Sequence, residues 1–417
     1  MAEQEPEGRN NSISLLELAK ALVNEMMIFH YQPKISLITG RLSGAEALIR
    51  LIDPSGKTRL PYEFIPLAES TGFITEISAA MFPKLLADLL VIHDVDDSLS
   101  ISFNLTGLDF ESPKMSEMIE GAIRDQHLDP KSLQVELTEA SIIEQGNAAV
   151  RSNLQRLVDL GVTLSMDDFG TGYSSIDTLS KWPFQVLKLD QGLISSMAES
   201  GKSQSIVQAS IRMAHQLGIK IVAEGIETAD IYDLLLRSGC TEIQGFWIAR
   251  PMPLVEFLGF IERGNRWSGL PTGFINMAML DHIHWRQSLV TQVINKSFGN
   301  SAISHPILSP IELDHTHCDL GQWYYGQGQE FRGYEAFDKL EEPHRHLHAL
   351  GRELIEAAEN GISRDKVVAL LRDLAVESGN VLRLLQELET MALLRQTERI
   401  AESGKTTGTM ETATSLG

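Results

Sequence analysis

Oxygen-bearing side chains fall within or near the ends of successive β-type runs in the first 265 or so residues. They are Glu46, Asn104, Glu136, the pair Asp167-Asp168, Asp190, Glu224 and Gln244, and Lys188 joins them. Any one of these acids alone reads as a solvated loop residue. A set of them at successive strand ends does not, because in a barrel of parallel strands those ends converge on one face. Converging carboxylates repel one another and are costly to bury without a counter-charge. Carboxylate and amide oxygens suit Mg²⁺ or Mn²⁺, and Asp167-Asp168 offers a carboxylate able to bridge two such ions. Two ions could activate a water and stabilise the leaving oxygen in an in-line attack on a phosphodiester. Lys188 could orient that water, or deprotonate it if its own pKa is lowered.

A second set of chemically capable side chains lies further on. Of the 12 histidines, eight lie between residues 282 and 348. His344 and His348 are four apart in a helical segment, which puts both imidazoles on one face. Cys318 and His282 could complete a Cys/His₃ tetrahedral zinc site, since thiolate and imidazole both suit Zn²⁺. Four ligands would close the shell and imply a structural or sensing role. The competing reading is a histidine-rich surface around a buried free thiol.

The elements that must position these residues change character near residue 265. Strand candidates at 27–32, 43–49, 99–105, 133–138, 162–167, 186–190, 220–224 and 242–248 alternate with amphipathic stretches such as 145–160, 203–217 and 227–238. That alternation predicts a mainly parallel sheet covered by helices, and eight strands predict closure into a (β/α)₈ TIM-like barrel over residues 14–264. A Gly/Pro-bearing stretch, 265–274, reads as a linker. Beyond it no strand is evident, and 276–298, 333–360 and 364–400 read as helices of an all-α bundle spanning 275–400. Val367, Leu371, Leu374, Ser378, Val381, Leu385, Leu388 and Ala392 follow a four-three spacing, a narrow apolar seam suited to a bundle or to self-association. Residues 1–13 and 401–417 read as disordered tails.

Composition narrows the partners. A formal charge of −21 argues against binding a nucleic-acid polymer, which calls for excess Lys and Arg. An anionic small substrate stays compatible if metal ions offset the acids. No segment approaches the ~20 apolar residues of a membrane helix, so no membrane insertion is expected. The polar start lacks the features of a signal peptide. Two cysteines, Cys240 and Cys318, exclude a disulfide framework, and a cytoplasmic location is the expectation.

Around the acids the sequence resembles the EAL-domain phosphodiesterases of cyclic di-GMP. The name-giving triplet is Glu46-Ala47-Leu48 within GAEALIR. YQPK (31–34), EFIPLAESTGFI (63–74), FNLTG (103–107), ELTEAS (136–141), DDFGTGYSS (167–175), LKLD (187–190), AEGIE (223–227) and QGFWIARPMP (244–253) follow in order. The resemblance covers about residues 14–263 and implies a barrel whose first strand runs antiparallel, with linear pGpG as product. It implies that Glu46, Asn104, Glu136 and Asp167 bind one Mg²⁺ or Mn²⁺, and that Asp167, Asp168 and Glu224 serve a second. Lys188 corresponds to the water-activating lysine. Gln32, Leu48, Arg50, Asp190 and Gln244 fall where the family meets substrate, and Glu139 and Glu227 where it supports the site. DDFGTGYSS looks like the loop that couples dimerisation to metal binding, so a homodimer is expected. Departures are small: Leu51 follows Arg50 where many relatives carry Trp, and Phe246 replaces a frequent Tyr.

The later segments DHIHW (281–285), HCDLGQW (317–323) and HRHLH (344–348) resemble the chemoreceptor zinc-binding domain over about residues 275–395. That resemblance implies one Zn²⁺ held by His282, Cys318, His344 and His348, in a domain that senses zinc or oxidants and often dimerises. Gln322 stands where that family usually has Lys or Arg. His284, His315, His317 and His346 receive no role and are taken as surface residues, and Cys240 as a core residue.

Overall fold

The computed structural model describes residues 13–126, 128–138, 140–142, 147–170, 175–267, 272–297, 311–360 and 363–407. The chain divides into two compact units. The first is Met1–Ser36, Gly40–Tyr232 and Thr241–Trp267; the second is Leu37–Thr39, Asp233–Cys240 and Ser268–Gly417.

Ten strands make one sheet: β1 (Met27–Ser36), β2 (Arg41–Ile52), β3 (Thr58–Arg59), β4 (Ser100–Leu105), β5 (Leu133–Thr138), β6 (Thr163–Phe169), β7 (Val186–Leu189), β8 (Lys220–Ala223), β9 (Glu242–Gln244) and β10 (Met252–Pro253). Pairing runs in parallel from β2 through β4, β5, β6, β7 and β8 to β9. Closure comes from β1, which pairs antiparallel with both β2 and β9. The eight-stranded barrel with an antiparallel first strand is therefore present. The two-residue strands β3 and β10, which sequence reading did not single out, extend its rim. The last ring strand ends at Gln244, earlier than the expected 248, because the chain turns at Gly245. A Cβ there would lie 2.2 Å from the Ile226 backbone nitrogen, so only glycine allows that approach.

The strands alternate so that apolar residues meet the covering helices and polar ones the barrel lumen. In β4, Ile101, Phe103 and Leu105 are buried outside, while Ser102 and Asn104 point in. In β5 the same split separates Leu133, Val135 and Leu137 from Gln134 and Glu136. The outer side is covered by helices that include α1 (Leu15–Val23), α2 (Ile74–His93), α3 (Lys114–Gln126), α4 (Ala148–Asp159), α5 (Ser175–Lys181) and α6 (Gly201–Gln216); in chain order α7 (Ala229–Ser238), most of which belongs to the second unit, and α8 (Leu254–Glu262) follow. α2 buries Ile77, Met81, Phe82, Leu85, Leu89 and Ile92, a helical stripe, and its Phe82 ring lies 5.7 Å from that of Phe103 of β4, tilted by 35°.

In the second unit, α9 (Thr272–Ser297), α10 (Asp319–Tyr325), α11 (Glu341–Glu359) and α12 (Arg364–Thr407) form the helical bundle. Helix α9 begins at Thr272, inside the stretch read as a linker. Helix α12 continues to Thr407, into the stretch read as a disordered tail. Each further helical residue adds one hydrogen bond to an existing helix, so polar residues extend it cheaply. The apolar seam of α12 is consumed within its own chain: Val367, Leu374, Ser378, Val381, Leu385, Leu388 and Ala392 are at most 1% exposed. They pack with Leu289 and Val293 of α9, Leu347 and Leu354 of α11, and the aromatic cluster Trp323, Tyr324, Phe331 and Phe337. These seven of the eight seam positions thus serve an internal bundle contact, while Leu371 is only partly buried.

Full burial of a leucine contributes about 1.5–3 kcal/mol, and deleting it leaves a cavity as well. Leu385→Ala should therefore destabilise the bundle by about 2–5 kcal/mol in a denaturant titration followed by tryptophan fluorescence. Arg383→Ala, whose side chain is 57% exposed, should change it by less than about 0.5 kcal/mol.

Candidate functional site

Each barrel strand, or its immediate end, brings one polar residue to a common level. Gln32 comes from β1, Glu46 from β2, Asn104 from β4, Glu136 from β5, Asp167 from β6, Lys188 from β7, Glu224 from just past β8, and Gln244 from β9. The ladder register sets Gln32 opposite Glu46 and Asn104 opposite Glu136, while Asp167 lies opposite Thr138, two residues past Glu136, so the strands reach the ring with a stagger.

At the centre stands the Lys188 ammonium, 1% exposed. It lies 2.5 Å from Glu136 Oε2, 2.6 Å from Glu224 Oε1, 3.2 Å from Asp167 Oδ1 and 3.3 Å from Glu46 Oε2. Around it, Glu46 accepts from Asn104 Nδ2 at 2.7 Å and from Gln244 Nε2 at 2.6 Å. Gln244 Nε2 also donates to Gln32 Oε1 at 3.0 Å.

Electrostatics follow from that crowding. Burial works against ionisation of Glu46, but Lys188, Gln244 and Asn104 override it and hold the carboxyl below its usual range. Glu136 goes the other way: burial and then Glu46 push it up in spite of Lys188. Burial, with Asp167 and Glu46, likewise pushes Glu224 well up against the pull of Lys188. Burial alone would pull Lys188 down, yet Asp167, Glu136, Glu224 and Glu46 push it well above the ordinary lysine value. The condition under which Lys188 would deprotonate a water, a lowered pKa, is therefore not met in the protein by itself, because four carboxylates surround its ammonium, and the orienting role is the one this geometry suits.

Adjacent Asp167 and Asp168 break the strand rule that successive side chains face opposite ways. The reason is local. The β6–β7 register shifts between Met166 and Phe169, and Asp168 adopts φ 57°, a left-handed conformation uncommon for a non-glycine residue. Burial, then the charges of Asp167 and Asp190, push the Asp168 carboxyl up.

The donor set fits divalent cations. Two ammonium groups, Lys188 and Lys34, do not neutralise five carboxylates, and the donors are hard oxygens. A buried Gln244 Oε1 has no hydrogen-bond partner, and so presents a further acceptor at the same level.

A cleft of about 300 Å³ opens on the ring. It is lined by the expected Gln32, Leu48, Arg50, Glu227 and Gln244, and also by Gln191, Phe246 and Pro251. Asp190, expected among the substrate contacts, is absent from this lining. Its carboxylate instead accepts from Gly192 N at 2.8 Å, capping the short helix Gln191–Ser195. Glu227 accepts from Gln191 Nε2 at 3.4 Å. Glu139 and part of the DDFGTGYSS loop lie outside the described residues.

Sequence reasoning passed over the layer beneath the ring. Lys34, Ser102 and Gln134 are buried there, two positions along their strands from Gln32, Asn104 and Glu136. The period of two was the available signal.

In the second unit, Cys318, His344 and His348 bring ligand atoms within 4.8 Å of one another. Cys318 caps α10, accepts from Gly321 N at 3.3 Å, and lies 3.3 Å from His344 Nε2. Burial takes His344 down to about 3 and His348 to about 4, leaving neutral imidazoles with lone pairs to offer. Burial pushes the Cys318 thiol up to about 12, and a bound cation would favour its thiolate. His348 Nδ1 is buried without a hydrogen-bond partner. Thiol and neutral imidazoles suit Zn²⁺.

His282 lies outside that three-residue cluster, although it too is buried, 2% exposed. Its Nε2 is 2.8 Å from Ser378 Oγ on α12, which also accepts from Arg286 Nη1 at 3.0 Å. The sequence places His315 at the surface. It instead borders the cluster, its ring 6.1 Å from that of His344 and 6.5 Å from that of His348. His284, His317 and His346 are exposed as expected, and Cys240 is fully buried. Among the described residues no helix is long and apolar enough to cross a membrane.

Comparison with known proteins gives two family matches: the EAL domain over residues 16–251 and the chemoreceptor zinc-binding domain over 282–355. Signaling protein YkoW of Bacillus subtilis is 37% identical over 244 residues, which are 58% of this chain and 30% of that protein. Cyclic di-GMP phosphodiesterase RocR of Pseudomonas aeruginosa is 32% identical over 247 residues, 59% of this chain and 63% of RocR. The solved MucR phosphodiesterase in complex with c-di-GMP superposes with a TM-score of 0.55 at 35% identity, covering 58% of this chain and 98% of that one. This chain spans about a third of the length of YkoW and of the full MucR protein.

The zinc ligands can be counted. After dialysis, metal analysis of the full chain should give about one zinc per chain. Cys318→Ala, which removes the sulfur of the set, should weaken retention by at least the roughly 10–100-fold typical of losing a supporting partner alone.

Proposed function

The chain belongs to the EAL domain family, and on that premise we propose that its barrel is a metal-dependent phosphodiesterase that hydrolyses cyclic di-GMP to linear pGpG. The observation that carries this reading is Lys188, within 3.3 Å of four carboxylates from four different strand ends at the mouth of a barrel. Relatives named as cyclic di-GMP phosphodiesterases support it.

In this reading Glu46, Asn104, Glu136 and Asp167 would hold one Mg²⁺ or Mn²⁺, and Asp167, Asp168 and Glu224 would serve the second. Such ions, when bound, supply an activated water and neutralise charge on the leaving oxygen. The chain's own residues do the positioning. Lys188 has an ammonium with three hydrogens and orients the attacking water against the carboxylates. Gln32, Leu48, Arg50 and Gln244 face the substrate from the cleft, with Arg50 opposing its phosphate charge. Asp190 fixes the start of the short helix at the rim, and Glu227 steadies that helix through Gln191. Glu139 is assigned a supporting role.

Regulation is proposed to reside in the second unit: zinc, or an oxidant at Cys318, sets the rate of the barrel. Support comes from the zinc-binding match on the same chain and from the packed contact of Cys318 with His344. A homodimer is proposed, with the barrel loop that begins at Asp167 and the α12 helix as its two candidate contacts.

Purified full chain with Mg²⁺ or Mn²⁺ should convert cyclic di-GMP to pGpG. Glu46→Ala should lose more than the roughly 10–100-fold typical of disturbing a ligand's support. Binding of cyclic di-GMP without turnover across metals and protein concentrations would replace the enzyme by a receptor.

For regulation, the rate in wild type should shift on chelation or on adding hypochlorite, and Cys318→Ala should abolish that response. Equal kinetics for wild type and Cys318→Ala under all these conditions would leave the zinc purely structural. Light scattering at micromolar concentration with both metals present should give twice the chain mass.

A further inference from the structure

We propose that Lys34 is a positioning residue for Glu136, fixing that carboxylate from beneath so that its other oxygen faces the ring. This rests on the reading of Glu136 as a metal ligand. Lys34 lies on β1 and is 1% exposed. Its Nζ donates to Ser102 Oγ at 3.0 Å and to Gln134 Oε1 at 3.3 Å, and is 3.9 Å from Glu136 Oε1. The Gln134 carboxamide closes the arrangement: with its oxygen held by Lys34, its Nε2 donates to the same Glu136 Oε1 at 3.4 Å. Glu136 Oε2 meanwhile meets Lys188 at 2.5 Å. The two oxygens of one fully buried carboxylate thus face two different ammonium groups, one at the level of the ring and one from the layer below.

A buried ammonium is expensive to desolvate, and barrel interiors are ordinarily filled by branched apolar side chains. Lys34, Ser102 and Gln134 replace that packing with a connected polar layer directly under one ring residue. A partner hydrogen-bonded to a ligating group orients it, and losing such a partner typically costs roughly 10–100-fold in metal affinity. Lys34 acts in this way both directly and by fixing which end of the Gln134 amide faces Glu136. Removing a positive charge near a cation site would by itself tighten metal binding. Positioning and simple charge therefore predict opposite signs.

The test is Mn²⁺ binding by the full chain without substrate, read from the electron paramagnetic resonance of free Mn²⁺ with equimolar zinc present. Lys34→Met should bind Mn²⁺ roughly tenfold more weakly than wild type. Lys34→Arg, which keeps a donor and a charge, should recover most of the loss. In a Glu136→Gln background, Lys34→Met should change affinity by less than about twofold, since coupled effects vanish when the shared partner is removed. Circular dichroism checks the fold, and Lys34→Gln replaces Lys34→Met should the latter not fold. Unchanged or tighter binding, or an equal loss in the Glu136→Gln background, would overturn the assignment. Wild-type chain that binds no Mn²⁺ at the barrel sinks the metal reading itself, and the role of Lys34 with it. Wild-type binding with a null effect of Lys34→Met removes only the latter.

Discussion

Repulsion among carboxylates confined at one end of a barrel is the constraint on which the rest of this structure depends. Glu46, Glu136, Asp167, Asp168 and Glu224 come from four strands, and closure of the sheet leaves them nowhere else to go. Two like charges 4 Å apart repel by about 4 kcal/mol at an effective dielectric near 20, so several together would strain the fold. The protein answers with groups that are themselves buried. Lys188 reaches four of the acids. Asn104 and Gln244 donate to Glu46. The geometry distributes the compensating groups unevenly. Glu46, with two amide donors beside the ammonium, is well satisfied, whereas Glu136 is pressed by its neighbour. An uneven ring is one in which added positive charge has a defined place to act.

The second unit solves a different problem with similar means. Its core is apolar and aromatic, yet Cys318, His282, His344 and His348 are all buried in it. Burial keeps the imidazoles neutral and the thiol protonated, so in this unit no ion pair is needed to hold the site together. Ser378, in the middle of an otherwise apolar seam, hydrogen-bonds to His282 and Arg286. A polar residue at a seam position costs packing energy and supplies a fixed register between α9 and α12.

Much of the fold was legible because the period of two is written plainly in strands such as LQVELT and SISFNL. The same alternation that predicts a strand also says which residues enter the lumen. Closure, too, was readable from the count of strands. What could not be read were features set by tertiary geometry. The α12 seam has the spacing of either an intermolecular or an internal helix contact, and only the packed bundle decides between them. The upward shift of Lys188 depends on how many carboxylates converge within 3.3 Å, which spacing does not give. The turn that pairs Asp167 with Asp168 on one side needs a bulge and a left-handed backbone, and neither is marked by a glycine. His315 looked like one more surface histidine because its neighbours in sequence are polar. Lys34 was seen only as a letter in YQPK, although counting two residues from Gln32 would have placed it in the lumen.

The ring takes one residue from each of eight strands, and this has a bearing on how such a gene can change over generations. Lengthening a loop between strand and helix leaves every inward position where it was. Gaining or losing a single codon within a strand turns that strand's contribution outward against a helix and replaces it with an apolar neighbour. Inheritable variation in the length of the barrel is thereby channelled into its connections, while the strands can drift in composition only on their helix-facing side. A lineage carrying this ring would keep its strand lengths even as everything around them is rewritten.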